Sequence, residues 1–109
     1  MLKPETVAMM GQNQIGDIKV GLLKTVQPTA SNDAEFFPGM PKTWGLGFMI
    51  NNEEAPTGRL AWVGLGNTYF WIDPKKRVTG VILTQLLPFA DTETLRVFDE
   101  FERGVYKAA

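Results

Sequence analysis

Between Leu60 and Leu87 the chain reads "LAWVGLGNTYFWIDPKKRVTGVILTQLL". Aromatic and β-branched residues, which suit a pleated surface, fill this stretch. Only Leu65-Gly66-Asn67 and Asp73-Pro74-Lys75-Lys76-Arg77 interrupt it, and both are turn signals. Connections this short cannot hold a parallel crossover, so neighbouring strands must run antiparallel. The expected strands are Arg59–Leu65, Thr68–Ile72 and Val78–Leu87, preceded by one over Trp44–Ile50 ("WGLGFMI"). Tyr69 and Trp71 then share one sheet face, and Phe70 and Ile72 the other, so both faces need cover.

A closing helix supplies one cover. Asp91 or Thr92 suits its N-cap, and the pattern runs to about Tyr106. Leu95, Phe98, Phe101 and Val105 fall along one stripe. Arg96, Asp99, Glu100, Glu102 and Arg103 are expected to face water, with Arg96–Glu100 and Asp99–Arg103 as i,i+4 pairs of opposite charge. A short helix is expected over Pro4–Met10, where Pro4 suits the first position and Gly11 the end. Ile18, Val20 and Leu22 alternate within Gly16–Leu23 as a strand would, but glycines flank them. "TVQPTASNDAEFFPGMPKT", from Thr25 to Thr43, is a long irregular loop, with Phe36, Phe37 and Met40 as its apolar anchors. Asn51–Gly58 reads as a polar connection. The expected fold is α+β, one domain over residues 1–109. It is an antiparallel meander of about three to five strands, with a C-terminal amphipathic helix packed on one face and a short N-terminal helix.

Composition excludes more chemistry than it offers. The chain has no cysteine and no histidine. Thiolate nucleophiles, disulfides and imidazole bases are therefore absent, and with them the commonest metal ligands. No metal and no cofactor is expected. A net charge of −1 argues against a nucleic-acid or anionic-membrane surface. Lys75-Lys76-Arg77 reads as a solvated hairpin tip. No apolar run approaches the ~20 residues that span a bilayer. Met1-Leu2-Lys3-Pro4-Glu5 does not open like a signal peptide, so a soluble chain without an address is expected. Ser31, the one serine, lies in the irregular loop, where a turn or cap role fits it. Glu53 and Glu54 read as solvated loop carboxylates, and Asp73 as a turn residue bonding nearby N–H groups. "GLG" at 45–47 and at 64–66 opens no helix and so forms no phosphate loop. Gly64 instead reads as a bulge or close approach, or as a strand edge left bare for a ligand.

Taken in order, "LKPETVAMMGQNQIG", the irregular loop, "WGLGFMI", "AWVGLGNTYFWIDP", "GVILTQLLPF" and the amphipathic helix resemble the C-terminal portion of the serine β-lactamase-like family. That family takes in class C β-lactamases, penicillin-binding proteins and related esterases. The resemblance implies acyl transfer. It places Trp62-Val63-Gly64 at the family's third active-site motif, Lys-Thr-Gly or a variant, as substrate-binding residues. It also implies that Leu65 donates its backbone N–H to an oxyanion. Trp62 in the lysine position removes a cation and is similar to the esterase-like branch. Ser-x-x-Lys and Tyr-x-Asn, the family's other two motifs, do not occur in these 109 residues. The expectation is a fragment of a serine hydrolase or esterase, inactive alone. A homodimer through the exposed strand Val78–Leu87 or an uncovered sheet face is expected as well. The competing expectation is a stand-alone α+β interaction module that dimerises or binds a peptide along that edge.

Overall fold

A computed structural model of the chain describes residues 1–51 and 59–108. Five strands, β1 (Lys42–Trp44), β2 (Met49–Asn51), β3 (Leu60–Gly64), β4 (Thr68–Asp73) and β5 (Val78–Ile82), form one antiparallel sheet in sequence order. Helix α1 spans Pro4–Met10 and helix α2 spans Thr92–Ala108. The architecture is the expected α+β meander. Glu53 and Glu54, with most of the expected polar connection, lie outside the described residues.

The β4 sequence explains where the core sits. Its burial alternates, with Tyr69, Trp71 and Asp73 buried and the residues between them half-buried. Phe98 of α2 stacks on Tyr69 at 5.1 Å and meets Trp71 edge-on at 5.7 Å. Trp71 lies directly over its β5 partner Gly80, where a Cβ would run into the indole. On the other face, Leu60 rests against Gly11 at the end of α1. Gly45 packs under the Met10 carbonyl with no room for a side chain, and the Leu46 N–H donates to that carbonyl at 3.0 Å.

Helix α2 begins as expected. The Asp91 carboxylate accepts the Thr94 N–H and hydroxyl, both at 2.9 Å. These bonds hold its pKa below the usual carboxylate value. The pairs Arg96–Glu100 (2.6 Å) and Asp99–Arg103 (2.7 Å) form on the wet face. Asp73 accepts the Lys76 N–H at the β4–β5 turn, and Tyr106 of α2 also donates to it. Ser31 pairs with the Thr25 hydroxyl inside the loop. Phe36 is buried, and Phe37 lies 4.0 Å under the Arg59 guanidinium. The loop between them and β1 is held by Lys42, whose ammonium donates to the Phe37 and Met40 carbonyls at 3.0 Å each.

Three expectations need correction. Trp44–Ile50 is not one strand: Gly45–Phe48 turns the chain, with Gly47 at φ 92, and β1 folds onto β2. Gly16–Leu23, where alternation and flanking glycines left the reading open, forms no strand: the Val20 N–H donates to the Lys42 carbonyl at 2.9 Å, and Leu23 bridges to Ala34. The last strand ends at Ile82, because Thr84–Pro88 leaves the sheet to wrap the β3–β4 turn. Glu102 does not face water. It sits four residues beyond Phe98, hence on the same helix face, and is buried beside Arg59.

Candidate functional site

The β3–β4 corner gathers every candidate site residue. Strand β3 meets β2 only through Leu60 and Ala61. Trp62, Val63 and Gly64 pair with Phe70, Tyr69 and Thr68 on the β4 side and have no β2 partner. The Asn51 N–H donates to the Arg59 carbonyl, which sets the phase of the ladder. Backbone groups point alternately to the two neighbours in an antiparallel sheet. Arg59 and Ala61 therefore bond toward β2, and Val63 points the same way into the gap beyond Met49. Next comes Leu65, 61% exposed, with no backbone partner among the described residues. Among the described residues, the corner thus presents a length of bare strand edge followed by a free amide.

Beside this edge is an aromatic wall. Trp62 stands edge-on to Trp44 at 4.5 Å and to Phe36 at 6.0 Å, and Phe36 reaches Phe89 at 6.3 Å. Arg59, the residue just before β3, is fully buried and engaged with Phe37 and Glu102. No cation of β3 itself is thus available to a ligand anion at this corner.

What holds the corner is Asn67. It adopts φ 59, the left-handed turn conformation that Asn tolerates. Its buried amide donates to the Leu86 and Pro88 carbonyls, each at 2.8 Å. Its side-chain oxygen accepts the Tyr69 hydroxyl at 2.6 Å and the Asp91 N–H at 3.1 Å. Burial and the nearby Asp91 carboxylate push the Tyr69 pKa up to about 12, so the phenol stays a donor. The Thr84 hydroxyl lies 2.7 Å from both the Gly66 and Asn67 carbonyls. The segment after β5 and the start of α2 are thereby bonded to the turn that carries Leu65. Sequence reasoning placed Trp62, Val63, Gly64 and Leu65 together but passed over Asn67 and Thr84. Asn in a Gly-Asn turn signalled only the backbone conformation; its buried network joins positions about 20 residues apart.

Among the described residues, no three His, Cys, Asp or Glu side chains come together as a metal site, and no helix is long and apolar enough to cross a membrane. A model of the beta-lactamase family matches residues 7–100. The chain is also similar to calJ, an acyltransferase of Penicillium decumbens, at 25% identity over 97% of its own length. It spans 27% of the length of that relative.

Proposed function

The chain belongs to the beta-lactamase family, and from that premise we propose that its β3–β4 corner is one wall of an acyl-transfer site. The observation that carries this reading is the β3 edge at Val63, bare among the described residues and continued by the Leu65 amide, which has no backbone partner among them. In the reaction, a serine oxygen attacks an ester carbonyl and loses its proton to a base. The carbonyl oxygen becomes an oxyanion, and the Leu65 N–H donates to it. The tetrahedral species then expels the alcohol, which takes up a proton, and leaves an acyl-serine. Water or another acceptor removes the acyl group in a second passage through the same geometry. A fixed donor aimed at developing charge is worth about 3 kcal/mol of barrier in such sites.

The serine, its lysine and the tyrosine come from outside these 109 residues, a reading supported by the absence of Ser-x-x-Lys and Tyr-x-Asn. Trp62 and its aromatic neighbours favour an uncharged acyl group over a carboxylate-bearing β-lactam, because no β3 cation is free to meet the carboxylate. The acyltransferase relative supports transfer to an acceptor as well as to water.

The purified chain is expected to show no turnover of a chromogenic short-chain ester or a chromogenic cephalosporin above buffer. Sustained turnover that follows chain concentration would place the nucleophile inside these residues and overturn the assignment.

A further inference from the structure

We propose that Thr84 is the positioning residue of the Leu65 donor: its hydroxyl, set against two consecutive turn carbonyls, fixes the direction in which the Leu65 N–H points. The inference rests on the acyl-transfer reading of the corner and assigns the group that stands behind its donor.

Residues Gly64 to Asn67 form a turn closed by the Asn67 N–H, which donates to the Gly64 carbonyl at 3.1 Å. Asn67, at φ 59, is the left-handed residue that ends a three-residue hairpin loop. The Gly64–Leu65 peptide is trans and planar, so its N–H points opposite to its carbonyl. That carbonyl is drawn into the turn. The Leu65 N–H is therefore directed outward, in the same phase as Val63.

The direction is only as fixed as the rest of the turn. Leu65 is 61% exposed, and Gly66 has no side chain to pack. Restraint comes instead from residues 84–86. The Thr84 hydroxyl lies 2.7 Å from both the Gly66 and Asn67 carbonyls, and the Leu86 N–H donates to the Gly66 carbonyl at 3.2 Å. Gly66 lies close against the Thr84 carbonyl, where a Cβ would stand 3.4 Å from the oxygen. That same carbonyl accepts the Gln85 side-chain amide at 3.0 Å and the Thr68 hydroxyl at 3.4 Å, which seats Thr84. The Asn67 amide reaches past the turn to the Leu86 and Pro88 carbonyls. Among the described residues, Thr84 is thus the side-chain donor to the turn's own carbonyls. A donor held in place beforehand meets developing charge without reorganising.

Titration of the full chain with phenylphosphonate, followed by amide NMR, tests the assignment. Thr84→Ala is expected to weaken binding read at the Leu65 amide by about tenfold, the equivalent of one net hydrogen bond. Thr84→Ser, which keeps the hydroxyl, should bind as the wild type does. Amides of β4 and α2 should keep their wild-type positions in both variants, which a general loosening of the fold would not allow. Should Thr84→Ala fail to fold, Thr84→Val carries the same expectation. A folded variant without the hydroxyl that binds as tightly as the wild type would overturn the role of Thr84 and leave the Leu65 donor standing. So would a Thr84→Ser chain as weak as Thr84→Ala. Loss of the fold in both Thr84→Ala and Thr84→Val would make the residue structural and overturn the role too. A wild-type Leu65 amide that does not respond would overturn the donor together with its positioning.

Discussion

Asn67→Ala is expected to destabilise the chain by about 4 kcal/mol or more, the loss of two donated and two accepted buried hydrogen bonds. Alanine would leave the Leu86 and Pro88 carbonyls and the Tyr69 hydroxyl without the partners they have now. It would also have to hold a left-handed conformation, φ 59, that Asn tolerates far better. Domains of this size are stable by only about 5–15 kcal/mol, so the variant should be largely unfolded in mild urea. Asn67→Gly separates the two causes: it relieves the backbone and still loses all four bonds. A urea midpoint for Asn67→Gly close to that of Asn67→Ala would assign the effect to the bonds. A wild-type midpoint for both would remove Asn67 from the centre of the corner.

The buried Arg59–Glu102 pair should give the second large effect. The Arg59 Nε lies 3.2 Å from Glu102 Oε1, with both side chains within 5% exposure. The contact is off the hydrogen-bond line, so attraction between the charges is its main content. Burial pushes the Arg59 pKa below its ordinary value and the Glu102 pKa above its own, with the partner charge opposing each shift. Removing one partner strands a buried charge, which costs about 3–5 kcal/mol in such settings. Glu102→Ala and Arg59→Ala are each expected to lose that much in urea unfolding. Replacing both by apolar residues, Arg59→Met with Glu102→Leu, should recover most of the loss. Additive losses in the double variant would show that the two side chains act independently. The sign of the pH effect follows from the raised Glu102 pKa. Its contribution is full below the unfolded carboxylate pKa and is lost as pH rises through the folded value.

Much of this fold is legible because its signals are local. The aromatic and β-branched run in "NTYFWID" marks β4 as a strand that needs cover on both faces, and Asp91 caps α2 through residues three apart. The misreadings occur where distant segments decide the outcome. Nothing near Glu102 announces a buried arginine 43 residues earlier, and a carboxylate at that helix position reads as solvated. The apolar run after Ile82 reads as strand, yet Thr84 and the Leu86 and Pro88 carbonyls are claimed by the β3–β4 turn. The run from Trp44 to Ile50 hides a turn, because its glycines allow a reversal beneath the end of α1 without displaying one. The candidate site shows the same division. Trp62, Val63, Gly64 and Leu65 are contiguous and could be placed from their pattern and resemblance. Asn67 and Thr84, which hold them, depend on contacts that form only in the folded chain.

The proposed role of Leu65 is that of a preformed oxyanion donor. Amide proton NMR of the chain during titration with phenylphosphonate, a tetrahedral anion, tests it most directly. The expected result is a saturable downfield shift of the Leu65 amide, with a smaller change at Val63 and little at Trp62 or Gly64, whose backbones bond to β4. A Leu65 amide that does not move, or that moves no more than amides across the rest of the sheet, would contradict it.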